Sequence, residues 1–115
     1  MKNVVTSKAP AAIGPYSQGI DIGNLVFTSG QLPLNMDTGE METEIKAATK
    51  ASLSNVKAIL AEAGLTMDNV IKTTVFISDM NNFAAMNEVY ATFFGETAPA
   101  RSCVEVARLP KDVLV

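Results

Sequence analysis

Val70-Ile71-Lys72-Thr73-Thr74-Val75-Phe76-Ile77 sorts its side chains into two alternating sets: Val70, Lys72, Thr74 and Phe76 against Ile71, Thr73, Val75 and Ile77. Period-two alternation in a run rich in β-branched residues predicts a half-buried strand with the second, more apolar set turned inward. Upstream, Ile45, Leu53, Val56 and Leu60 recur at helical spacing, with Ala48 and Ala63 on the same stripe and Lys46, Lys50, Lys57 and Glu62 elsewhere. A helix over residues 42–63 follows, favoured at its start by Glu42 and Glu44 and stopped by Gly64. Downstream, Ser78 or Asp79 suits the cap of a second helix reaching residue 94, with Phe83, Met86, Tyr90 and Phe94 on its buried side and Gly95 at its end.

Further out, residues 101–107 read as a strand carrying Arg101, Cys103 and Glu105 on one face and Ser102, Val104 and Val106 on the other, and Val113-Leu114-Val115 begins another. Towards the amino end, the β-prone runs 16–22 and 25–29 flank Gly23-Asn24, a pair suited to the positive φ angles of a two-residue hairpin turn. The order β-β-α-β-α-β places the chain in the α+β class, as one domain over residues 1–115 with two helices covering one face of a mixed sheet. If the helices pack on Val104 and Val106, Arg101 and Cys103 point to the uncovered face, which is then open to the sheet of a neighbouring subunit. An arginine there needs a partner to offset its desolvation.

Composition removes several kinds of chemistry. The formal net charge is −3 with no basic run, so nucleic acid is not an expected partner. The chain contains no histidine and a single cysteine, Cys103, which excludes an intrachain disulfide, the usual zinc ligands and a serine–histidine pair. No apolar run approaches a membrane span and residues 1–8 lack a secretory apolar core, so a cytoplasmic location is the default expectation.

Four segments, Ala9-Pro10-Ala11-Ala12-Ile13-Gly14-Pro15-Tyr16-Ser17-Gln18, Phe27-Thr28-Ser29-Gly30-Gln31-Leu32-Pro33, Asn87-Glu88-Val89-Tyr90 and Pro99-Ala100-Arg101-Ser102-Cys103-Val104-Glu105-Val106-Ala107-Arg108-Leu109-Pro110, together resemble the RidA/YjgF family. That resemblance implies a chorismate-mutase-like fold assembled as a homotrimer around a central barrel, with small-molecule sites between subunits. It implies hydrolysis of reactive 2-imino acids to 2-oxo acids and ammonia, without metal or cofactor. It also implies a glutamate on a strand beyond the position of Val115 that positions the attacking water, and nothing in the sequence matches it. The expectation is therefore a domain lacking the family's final strand.

Arg101 is the leading candidate for gripping a substrate carboxylate, because its planar guanidinium offers two parallel charge-assisted hydrogen bonds; the alternative is an ion pair across an interface. Cys103 shares its strand face and completes the candidate catalytic pair, although a lone cysteine without an activating base is more often a small packed hydrophobe than a nucleophile. Ser29 and Gly30 are a simple turn by the residues alone and a pocket wall by the resemblance. By the same resemblance Tyr16 and Asn87 carry over as a ring and a polar contact beside the ligand, the alternative for Tyr16 being ordinary interface packing. Asn55 is read as satisfying backbone groups, outside the site.

A non-catalytic trimer that binds 2-oxo acids and regulates a partner protein is the main rival function. Translation inhibition or RNA cleavage, also linked to the family, finds little support in an acidic chain without histidine.

Overall fold

The computed structural model describes residues 1–115. Helix α1 (Ile45–Glu62) begins where Glu44, in extended backbone, accepts hydrogen bonds from the N–H groups of Lys46 and Ala47 on its two carboxylate oxygens. At its other end, Gly64 N–H donates to Ala61 O and Leu65 N–H to Leu60 O, which closes the helix with a paired terminal motif. The bonds from Ala47 and Lys46 hold the Glu44 carboxyl below its ordinary value of 4.5. A carboxylate whose folded pKa is depressed contributes stability above its unfolded pKa and loses it as pH falls through the folded value. The difference in Tm between the protein and Glu44→Ala should therefore shrink on acidification from about pH 6 to about pH 3, measured by thermal melts across that range.

The hairpin forms as expected, with β2 (Gly19–Asp21) and β3 (Val26–Thr28) antiparallel and Ile22 N–H donating to Leu25 O across Gly23-Asn24. Only Gly23 takes a positive φ, at 102°, so the left-handed residue comes first in the turn. Gly19 is glycine for a different reason. A Cβ there would lie 3.0 Å from Ile59 Cγ2 and 3.2 Å from the Phe27 carbonyl, so the hairpin can approach α1 only without it.

A strand absent from the sequence reading, β1 (Lys2–Val4), pairs antiparallel with β2. Three residues carry no detectable alternation, and their pairing arises because β2 offers an edge. Val4 is buried with Ala9 and Ile59. Buried Gln18 ties down the segment between: its amide Nε2 donates to the carbonyls of Thr6, Ala9 and Pro10, and its Oε1 accepts from Thr6 N–H.

Strand β4 (Lys72–Ile77) pairs in parallel with β5 (Ala100–Glu105), matching Thr73 with Arg101 and Val75 with Cys103. Between them Asp79 caps a 3-10 turn, Met80–Asn82, that leads into α2 (Phe83–Ala91). Helix α2 ends short of residue 94, yet Phe94 still packs on Tyr90 with ring centroids 4.8 Å apart. The strands thus form two hydrogen-bonded sheets, β1-β2-β3 and β4-β5, and not one.

The main core gathers Ile45, Ile77, Met86 and Tyr90, with Leu53, Val75, Phe83 and Cys103 against it. In α1 the buried residues are Ile45, Ala48, Thr49, Asn55, Ile59 and Leu60, so Ile59 replaces Leu53 and Val56, which are half-buried, as a central contact. Asn55 Nδ2 donates to the Leu32 and Leu34 carbonyls, the backbone role expected of it.

The assignment of faces in β5 requires correction. Arg101 and Cys103 lie on the helix-covered side, while Val104 is 44% and Phe76 47% exposed on the other. Parity decides it: register pairs Arg101 and Cys103 with Thr73 and Val75, whose strand is turned to the helices by fully buried Ile77. The last run is also different. Val113 is buried and Leu114 O accepts from Ser78 N–H at 3.0 Å and from Ser78 Oγ at 3.5 Å, but these bonds from one residue beside the end of β4 make no ladder.

Candidate active site

Arg101 leaves β5 beneath α2 and is met there by three side chains of that helix. Its Nη1 donates to Asn87 Oδ1 at 2.6 Å, and its Cζ lies 4.7 Å from the Tyr90 ring centroid and 5.4 Å from that of Phe83. Positions 83, 87 and 90 fall on one side of a helix, which is why one arginine touches all three. Guanidinium stacking on aromatic faces and a single polar bond offset the cost of half-burying the charge without an acidic partner. Neither of the two ion pairs in the chain, Lys46 with Glu88 and Arg108 with Asp112, involves Arg101.

Cys103 is half-buried two residues along and packs against the Ile77–Met86–Tyr90 core. Glu105, third on this face, is committed elsewhere: its Oε1 accepts from Met80 N–H at 2.7 Å and caps the 3-10 turn. The backbone adds a further feature. Ala100 N–H donates to Ile71 O and Val106 N–H to Ile77 O. A parallel ladder alternates, so the N–H and C=O groups of Arg101, Cys103 and Glu105 point to the opposite edge of β5. No other strand of this chain pairs with that edge.

Tyr16, Ser29 and Gly30 form a separate group at the end of the hairpin. Ser29 Oγ donates to Ser17 O at 2.6 Å and Ser29 N–H to Gln18 O, which fastens the end of β3 to the loop bearing Tyr16. The Tyr16 side chain is exposed, and nothing lies within 4 Å of where a Gly30 Cβ would be. No hydrogen bond or ion pair joins this group to Arg101, Asn87 and Cys103. A surface groove of about 570 Å³ between α1 and α2, lined by Lys50, Lys57, Asp68 and Phe93 among others, contains none of the six candidates. No group of three or more His, Cys, Asp or Glu side chains is placed to hold a metal, and no helix is long and apolar enough to cross a membrane.

Residues 6–115 match the family described as endoribonuclease L-PSP. The crystal structure of the YjgF gene product of E. coli superposes with a TM-score of 0.95 at 55% identity, covering 99% of this chain and 92% of that one. The 2-iminobutanoate/2-iminopropanoate deaminase of Escherichia coli K12 is 56% identical over 117 residues, covering 99% of this chain and 91% of that protein. The chain belongs to the RidA/YjgF family. Another RidA/YjgF structure, E. coli TdcF with bound serine, gives a TM-score of 0.95 at 55% identity and covers 99% of this chain and 92% of its own.

Within this RidA/YjgF chain, the sequence pointed to Arg101 as a candidate but did not single out Phe83 and Tyr90 as the rings beside it. The available signal was the spacing of Phe83, Asn87 and Tyr90 along α2, which the core accounted for equally well. For Cys103, packing against the core and the absence of any histidine argue against a nucleophile. Cys103→Ser is expected to keep kcat/KM, assayed with the 2-imino acids for which the E. coli deaminase is named, within about threefold of the parent value. A collapse in kcat, with burst kinetics in the parent protein, would reinstate a covalent role.

Proposed function

We propose that this chain hydrolyses protonated 2-imino acids, 2-iminobutanoate and 2-iminopropanoate among them, to 2-oxo acids and ammonia. The observation that carries the reading is the Arg101 side chain, held by two rings and Asn87 next to an unpaired backbone edge, in a chain 56% identical to a deaminase of that specificity.

The substrate already contains its electrophile. Water oxygen adds to the iminium carbon and one of its protons passes to nitrogen; the C–N bond then breaks with its electron pair leaving on ammonia, which takes up the remaining hydroxyl proton as ammonium while a carbonyl forms where the imine stood. Orientation and charge stabilisation are what such a reaction asks of a protein, and both are available without a covalent intermediate. Arg101 has five N–H donors, of which one is engaged by Asn87, leaving a pair to grip the carboxylate. The carbonyl oxygens of Arg101 or Cys103, directed to the open edge of β5, are suited to accept from the iminium nitrogen.

In this reading Tyr16, Ser29 and Gly30 complete the site from a neighbouring subunit of a homotrimer, which accounts for two groups of candidates without a bond between them in one chain. The exposed apolar face carrying Phe76 and Val104 suits burial between subunits, as an exposed apolar patch commonly does. Residues 1–115 act as one domain, in the cytoplasm, with a 2-imino or 2-oxo acid as the small-molecule partner.

The test is to generate 2-iminobutanoate in place with a threonine dehydratase and follow its conversion to 2-oxobutanoate with and without this chain. Acceleration is expected. Binding of 2-oxobutanoate without acceleration would replace the enzyme by a ligand-binding module.

A further inference from the structure

We infer that Tyr90 is a positioning residue for the carboxylate grip, its ring fixing the plane of the Arg101 guanidinium from an anchor on the neighbouring strand. The inference rests on the reading of Arg101 given above. Tyr90 is buried, and its hydroxyl lies 2.7 Å from Thr73 Oγ1. Thr73 is the register partner of Arg101 in the β4–β5 ladder. The ring is thus tied to the strand beside Arg101 while its face lies under the guanidinium, 4.7 Å from Cζ. Phe94, beyond the end of α2, supports the same ring at 4.8 Å, so Tyr90 is held both through its hydroxyl and along its ring.

The consequence is a guanidinium restrained on several sides. Two ring centroids lie 4.7 and 5.4 Å from its Cζ, Asn87 Oδ1 takes Nη1, and β5 sets where the side chain begins. A free arginine samples many rotamers and loses that freedom on gripping a carboxylate; one already held in plane loses less. Because the grip is the same for bound substrate and transition state, loosening it should raise KM more than it lowers kcat.

Tyr90→Leu removes the ring face and the anchor, Tyr90→Phe keeps the face, and Thr73→Val removes the anchor while leaving Tyr90 in place. The expected order of effect on KM and on the Kd for 2-oxobutanoate is Leu, a rise of about tenfold, then Thr73→Val and Tyr90→Phe, each about two- to threefold. A second readout is independent of turnover. The chain has two arginines, Arg101 and Arg108, so the Nε–Hε region of a ¹H–¹⁵N spectrum holds two signals. Ring currents should displace the Arg101 proton upfield in the parent protein and in Tyr90→Phe, and Tyr90→Leu should return it towards Arg108.

A cooperatively folding Tyr90→Leu protein with parental Kd and Arg101 shift overturns the positioning role, provided Arg101→Ala has lost 2-oxobutanoate binding. Arg101→Ala that still binds overturns the reading of Arg101 and this inference with it. Should Tyr90→Leu fail to fold, Thr73→Val decides: an unchanged Arg101 signal and Kd reject the anchor, and a broadened signal with weaker binding supports it.

Discussion

Arg101→Ala should lower kcat/KM for 2-iminobutanoate by about two to three orders of magnitude. Two charge-assisted hydrogen bonds to a carboxylate contribute about 3–5 kcal/mol together, and each 1.4 kcal/mol or so is a factor of ten. Arg101→Lys keeps the charge but loses the fork and the stacking on Tyr90 and Phe83, so its loss should fall between, at about ten- to a hundredfold. Calorimetry with 2-oxobutanoate provides the matching Kd, and a thermal melt shows that the variant is folded. Parental kcat/KM in Arg101→Ala would leave the two rings and Asn87 as packing around a structural charge and remove the basis of the proposed mechanism.

The largest effect on stability is expected from Ile77→Ala. Ile77 has no exposed surface, stands where β4 meets Ile45, Met86 and Tyr90, and immediately precedes Ser78, whose N–H holds the Leu114 carbonyl. Truncation loses the transfer free energy of three carbons and leaves a cavity between elements that are tied by a parallel ladder and cannot collapse freely. The cost should be about 3–4 kcal/mol, a large share of the roughly 5–15 kcal/mol of a typical domain, with Ile77→Val at about 1 kcal/mol. Urea titration at fixed protein concentration would show the midpoint falling with an unchanged slope. A midpoint within experimental scatter of the parent would mean that the main core is centred elsewhere, with Ile59 under the hairpin as the next residue to truncate.

Local pattern carried much of this architecture. Both helices, the hairpin turn at Gly23-Asn24 and the two parallel strands are visible in periodicity and end signals, since each depends on residues close in the chain. Strand β1 was not, because Lys2–Val4 has no signature apart from the edge it pairs with. The end of α2 was overestimated, because Phe94 continues the apolar stripe after the helical hydrogen bonds have stopped.

The candidate site divides in the same way. Alternation along β5 by itself determines that Arg101 and Cys103 share a face, since successive side chains of any strand point to opposite sides. It cannot determine which side the helices cover. That was decided by the register of β5 on β4, a pairing between residues nearly thirty positions apart, which seats Arg101 beside Thr73 and therefore under Tyr90. The sequence contains the arginine, the asparagine and the two rings as separate facts of strand and helix; the parallel ladder and the crossing of α2 above it bring the Arg101 guanidinium to 2.6 Å from Asn87 Oδ1 and to 4.7 and 5.4 Å from the two ring centroids, because only packing chooses between two faces that alternation leaves equivalent.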